Sequence, residues 1–145
     1  MEKMIKKVYD GDIVLAIIIS NKFNEPGIHF FTPDDFSQQL AYMKHPKGKT
    51  IIPHVHNPVQ RKVEYTQEIL FIKSGKIRVD FYNSDQKYLE SYILSQHDVI
   101  LLIEGGHGFE VLEELEMFEI KQGPYAGEKD KTRFTGISSL DAEIK

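Results

Sequence analysis

His54 and His56 stand one residue apart in "KGKTIIPHVHNPVQ", in a chain that holds six histidines in all. An extended backbone sends alternate side chains to the same face. A His-X-His pair at the end of a β-branched run therefore presents two imidazoles side by side. Downstream, Glu68 opens "EILFIKSG", and His107 lies in "EGGHGFE" just after the apolar run "DVILLI". Three imidazoles and one carboxylate form a nitrogen and oxygen donor set. Such a set suits one divalent transition ion (Zn, Fe, Mn or Ni) rather than Mg or Ca alone. The chain has no cysteine, which removes disulfides and thiolate-bound metals from consideration. Taken singly, each of these residues has an ordinary reading: a surface histidine pair, a histidine on a glycine turn, a solvated carboxylate. Glu64 competes with Glu68, and His29, His45 and His97 have no partner pattern.

Arg61 and Lys62 lie in "NPVQRKVEYTQ", between the histidine pair and Glu68. Such a pair is ordinarily solvated, but a guanidinium beside ligand-bearing segments can hold a carboxylate or phosphate with two parallel hydrogen bonds. In "EMFEIKQGPY", alternation puts Lys121 and Gln122 on opposite faces of the last strand, so one of them faces the interior. Tyr125 follows Gly-Pro, where it either packs at a turn or overhangs the site. Arg61, Lys121, Gln122 and Tyr125 are the candidate substrate-binding residues. The charged run "GEKDKTR" reads as a solvated arm.

The segments that must position these residues are short, apolar and β-branched: "DIVLAIIIS", "GIHFF", "QQLAYMKH", "KTIIPHVH", "EILFIKS", "KIRVDFYN", "YLESYIL", "DVILLIE", "GFEVLEE" and "LEMFEIKQ". Turn signals such as "NEPG", "HPKG", "NSDQ" and "EGG" separate them. Closely spaced short strands indicate an all-β sandwich or barrel. The clearest hairpin is "IKSGKIRV", with Ser74-Gly75 as its turn. Near "TPDDFSQQL" a single helical turn is expected, with Thr32 as its cap. Residues 1–122 read as one β-barrel domain that includes the N-terminal strands. Residues 123–145 are polar and poor in strand formers, and read as an arm or tail.

Length and composition narrow the class. A chain of 145 residues, 41% hydrophobic and 28% charged, is long enough for one domain with a real core. The net charge of −4 disfavours nucleic acid as a partner, because phosphate binding wants a basic surface. The N-terminal apolar run is too short to cross a bilayer and lacks a small-residue cleavage site. It reads as a buried strand, so no membrane partner is expected and the expected location is the cytoplasm.

The histidine and glycine spacing resembles the cupin superfamily. The first motif of that family runs Gly, five residues, His-X-His, three or four residues, Glu, six residues, Gly. Here five residues lie between Gly48 and His54 and six between Glu68 and Gly75, but eleven separate His56 from Glu68. The second motif runs Gly, five residues, Pro-X-Gly, two residues, His. Here His97 stands at its first glycine, Ile103 at the proline and Gly105 at the second glycine; His107 comes one residue early and Val111 replaces the closing asparagine. The resemblance covers about Gly48 to Gln122. It implies a small double-stranded β-helix, or jelly-roll barrel, with His54, His56, Glu68 and His107 as inward metal ligands, and often a homodimer. The segments "HVHNPVQRKVEYTQEILFIKSGK" and "GGHGFEVLEELEMFEIKQGPYAGEKDKTRF" are also similar to small bacterial cupins associated with surface-polysaccharide and acidic-sugar synthesis. That likeness implies a small sugar-like or sugar-nucleotide ligand and a metal-dependent isomerase or epimerase. An Fe(II) dioxygenase and a non-catalytic metal-containing binder or sensor are the alternatives, as is a metal-free enzyme in which His54 or His107 is a general base. Fold alone does not choose among these.

Overall fold

A computed structural model describes residues 3–145. Strand makes up 45% of the chain and helix 5%, so the molecule is mostly β. In chain order the strands are β1 (Ile5–Asp10), β2 (Ile13–Ile19), β3 (Gly27–Phe30), β4 (Ala41–Lys44), β5 (Glu68–Tyr82), β6 (Tyr88–Ser95), β7 (Val99–Leu102) and β8 (Gly106–Lys121). The chain divides into two compact units. The larger runs up to Phe23 and resumes from Tyr65 to Lys145, and the smaller is Asn24–Glu64.

The larger unit is one antiparallel sheet with the order β1-β2-β7-β5-β6, and β8 also pairs with β5. β2 and β7 are near-continuous apolar runs because both of their faces are buried. β1 is a strand that the sequence reading did not assign. It forms a hairpin with β2, and the Asp10-Gly11 pair between them, with Gly11 at φ 57°, is the turn chemistry such a hairpin uses.

β5 and β8 correct the expected hairpin at Ser74-Gly75. The chain does not reverse there: "EILFIKS" and "KIRVDFYN" form a single 15-residue strand. "GFEVLEE" and "LEMFEIKQ" likewise merge into β8, which pairs with β5 along its whole length. What the turn residues make instead is a corner. Register shifts fall between Ile72 and Ser74, Ser74 and Lys76, and Lys76 and Ile77. Gly75 sits at φ 91°, and a Cβ there would lie 2.0 Å from the Glu114 carbonyl oxygen. Bulges of this kind bend a strand without ending it. On one edge β5 pairs with β7 before the corner and with β6 after it. The result is a strongly curled half-barrel. Val8, Ala16, Ile18, Leu70, Ile72, Ile77, Val79, Phe81, Leu94, Ile100 and Leu102 pack together inside the curl.

From Phe134 onward the tail returns against β5 and β6. The Phe134 ring meets Tyr82 edge-on at 5.0 Å, and the Ile137 amide donates to the Tyr82 hydroxyl at 2.9 Å. The Ser91 amide donates to Glu143 O at 2.8 Å and the Lys145 amide to Ser91 O at 2.9 Å, so the last residues extend the edge of β6.

In the smaller unit β3 and β4 form a two-stranded antiparallel ribbon. The connection between them is turns rather than a helical turn. Thr32 does not cap a helix; its hydroxyl donates to Gln39 Oε1 at 2.7 Å. The strand expected at "KTIIPHVH" is absent: residues 45–64 are irregular and are exposed from Pro46 onward. Pro53 interrupts that apolar run and removes a ladder donor at its middle.

Candidate functional site

β5 begins with Glu68, on the same face as the core residues Leu70 and Ile72. Directly opposite Glu68 in the β5–β8 register is Lys121; at the far end of the same ladder His107 lies opposite the core residue Phe81. All three side chains therefore point into the curl. A straight strand of 15 residues would hold its ends about 46 Å apart at ~3.3 Å per residue. Here His107 Nε2 lies 3.6 Å from Glu68 Oε2. The corner at Gly75 makes this possible, because it folds the two ends of the ladder toward each other.

Around this pair is a compact charged group. Lys121 Nζ is 3.6 Å from Glu68 Oε1 and 3.6 Å from Asp130 Oδ2, and the Thr66 hydroxyl donates to Asp130 Oδ1. Glu68 is 7% exposed, and a buried carboxylate needs partners. The His107 ring beside it holds its pKa below the usual range; burial acts in the opposite sense, and the charges of Lys121 and Lys131 reinforce the lowering. For Lys121 burial opposes the ammonium, but Glu68 and Asp130 outweigh it and the pKa rises. Asp130 is likewise held ionised, first by the Thr66 hydroxyl. Asp130 and Thr66 were missed at the sequence level. "GEKDKTR" carries no local sign of burial, and only the return of the tail brings Asp130 to Lys121.

His54 and His56 belong to the smaller unit. Although no strand carries them, their rings meet edge to face with centroids 5.2 Å apart. His54 Nδ1 lies 2.9 Å from Ile52 O. A carbonyl only accepts, so Nδ1 carries the proton. In the neutral ring this leaves Nε2 as a lone pair. Metal-binding histidines are oriented in this way. Among the described residues, no three His, Asp or Glu side chains are gathered into a group that would hold a metal ion. What stands in place are two pairs, His54 with His56 and Glu68 with His107.

The remaining candidates are scattered. Arg61 is exposed, with NH1 3.5 Å from Val59 O, and Lys62 pairs with Glu64 at 2.6 Å. The Gln122 backbone N–H donates to Gln67 O at 3.1 Å, and the side-chain Oε1 is buried without a hydrogen-bond partner. Tyr125 is 86% exposed and follows a cis Gly123–Pro124 bond. His97 has a backbone role. Its φ is 68°, in the left-handed region that non-glycine residues seldom occupy. Its amide donates to Ile72 O at 2.6 Å, and its ring stacks on Phe71.

Comparison with protein-family profiles, with curated proteins and with solved structures finds no match. No helix among the described residues is long and apolar enough to cross a membrane.

Proposed function

We propose that this chain is a cupin-type protein that uses Glu68 and His107, with Lys121, to act on a small polar sugar-like or sugar-nucleotide molecule, as an isomerase or epimerase. The observation that carries the reading is the meeting of Glu68 and His107 inside the curled sheet. It is supported by His97, which adopts a glycine-like backbone where the cupin pattern has glycine, and by the corner at Gly75, separated from Glu68 by six residues.

The donor set fits a divalent ion (Zn, Fe, Mn or Ni). Two ligand atoms on one tetrahedral ion with bonds of about 2.1 Å lie about 3.4 Å apart, close to the 3.6 Å between Glu68 and His107. Within the smaller unit, the Nδ1-protonated His54 keeps Nε2 as a lone pair, and His56 stands beside it. Such an ion supplies a positive centre that polarises a carbonyl oxygen. The side chains do the rest. Glu68 and His107 would hold the ion, and the Lys121 ammonium pairs with the negative oxygen that proton removal creates; with no ion bound, the His107 ring nitrogen is free to accept or return that proton. Because Glu68, His107 and Lys121 lie within one unit, a second reading is favoured by the same contacts: His107 as a general base that works without metal.

Elemental analysis of protein purified without a histidine tag separates the two. One equivalent of metal in the wild type, lost in both His107→Ala and His54→Ala/His56→Ala, supports the metal reading. Full thermal stabilisation by a sugar nucleotide in metal-free protein supports the second. Unchanged metal content in both variants, with no sugar nucleotide stabilising the protein, would sink both. The proposal includes a second copy of the chain as partner. β8 has β5 as its only strand partner among the described residues and exposes Phe118 and Ile120. Sedimentation equilibrium tests this, a dimer mass being the expected result.

A further inference from the structure

β1 and β6 are the two end strands of the sheet path and do not pair with each other, but residues of both line one recess of about 530 Å³, the β1–β6 seam. Its walls include four lysines, Lys3, Lys6, Lys7 and Lys145, and the rings of Tyr9 and Tyr92. No carboxylate side chain lines it. In a chain with net charge −4, four lysines lining one recess are a local reversal of sign. Like charges facing a common space repel, and a small anion relieves that repulsion for all of them at once.

The fold makes the recess two-sided. Lys6 shares the inner face of β1 with the core residue Val8, while Lys7 and Tyr9 project from the other face, so cations reach the seam from both sides of the strand edge. Tyr92 closes the far wall. Its hydroxyl donates to Glu90 at 3.2 Å, and its ring is fixed edge-on against Phe81 at 5.9 Å. Lys145 is held in place by its backbone bond to Ser91. A smaller recess of about 220 Å³ shares Lys3, Lys6 and Tyr92 with the larger one and is also lined by Asn21, Lys22 and one carboxylate, Asp98. None of these residues belongs to the Glu68–His107 group.

We propose that the β1–β6 seam is a binding site for a small molecule carrying two or more phosphate charges, with Lys3, Lys6, Lys7 and Lys145 contacting the phosphates and Tyr9 and Tyr92 offering ring faces to the rest of the ligand. The site is separate from the Glu68–His107 centre, and a ligand there need not be the substrate of that centre.

The test uses inorganic pyrophosphate, titrated into full-length protein in EDTA with amide shifts followed by NMR. Saturable shifts confined to Lys6, Lys7, Tyr9, Tyr92 and Lys145 are expected, and affinity should fall with added salt. Lys3→Ala/Lys6→Ala/Lys7→Ala should weaken binding at least tenfold, while Glu68→Gln should leave it unchanged. Equal binding by the triple variant, or non-saturating shifts spread over lysines elsewhere, would overturn the proposal. A second arm uses vesicles of phosphatidylcholine with 5% phosphatidylinositol bisphosphate. Sedimentation with vesicles alongside pyrophosphate binding assigns the same phosphate chemistry to a lipid headgroup. Vesicle binding without pyrophosphate binding overturns the small-molecule site.

Discussion

Glu68 is the residue on which most of the proposed chemistry turns, and its environment makes a pH prediction. Its pKa lies below the ordinary 4.5 because the folded state favours the charged form. A carboxylate with a depressed folded pKa stabilises the fold fully above its unfolded value, and that contribution is lost as pH falls through the folded value. The midpoint of thermal unfolding, measured in EDTA, should therefore be higher for wild type than for Glu68→Gln at pH 6–7. The gap should be a few degrees, since about 1 kcal/mol moves the midpoint roughly 2–4 °C in a chain of this size. It should close as pH drops below about 4.5, the ordinary value quoted above. Parallel curves from pH 7 to pH 3 would mean that the His107 and Lys121 contacts contribute nothing. Arg61 makes a second prediction at this scale. If it holds an anionic group of the sugar-like ligand, Arg61→Ala should weaken binding by about 1.5–3 kcal/mol with unchanged metal content. Arg61→Lys should recover only part of that, because an ammonium lacks the planar fork. Calorimetric titration reads both, and a variant that binds like wild type makes the loop a spacer.

The element that decides the site is the corner in β5. At φ 91° an alanine is strained, and its Cβ would meet the Glu114 carbonyl oxygen, a backbone atom that moves only if β8 moves. Gly75→Ala should cost about 2–4 kcal/mol, strain and overpacking together, and should be read from the urea midpoint. A loss under about 0.5 kcal/mol would mean that the two strands part easily there. The same corner shows what was legible in the sequence. β2 and β7 were readable because strands buried on both faces are apolar throughout. Glu68 and His107 were singled out by a resemblance that Glu68 follows in its spacing to Gly75 and that His107 misses by one residue after Gly105, and the two do lie side by side. Ser74-Gly75 was misread because a positive-φ glycine serves a hairpin turn and a bulged corner equally well. The difference lies in β8, whose pairing partner is distant in sequence. "KTIIPHVH" was misread for the opposite reason: its composition suits a strand, but it has no partner strand and Pro53 removes a donor. Asp130 was illegible because its partners, Lys121 and Thr66, are assembled by the return of the tail.

Across the whole molecule, the tail is tied to the sheet by a hydrogen-bond chain with a single proton direction. Ser91 Oγ lies 2.5 Å from Asp80 Oδ1 and spends its only proton there. The Tyr88 hydroxyl, 2.7 Å from Ser91 Oγ, must therefore donate to it, and its own oxygen accepts the Glu143 amide at 2.7 Å. Asp80 also takes Arg78 Nε at 2.8 Å and NH2 at 3.0 Å, and Arg78 NH1 reaches Glu110 on β8 at 2.6 Å. Arg78, Asp80 and Ser91 are all buried, so this chain satisfies charges that would otherwise be costly. Burial works against the Asp80 carboxylate, but Arg78 and Ser91 outweigh it and its pKa is lowered. The tail is thus the outer end of a network that crosses β5, β6 and β8. Tyr88→Phe removes one hydroxyl from the middle of it. The Glu143 amide loses its acceptor and Ser91 loses a donor, at an expected cost of about 1–3 kcal/mol. Hydrogen exchange locates the effect. The Ser91 and Lys145 amides, which bond the tail to β6, should exchange faster than the global loss of stability explains, while Ile100 and Leu101 in β7 should follow the global change alone. If all four speed up by the same factor, the tail is not a separately released element but part of the cooperative core.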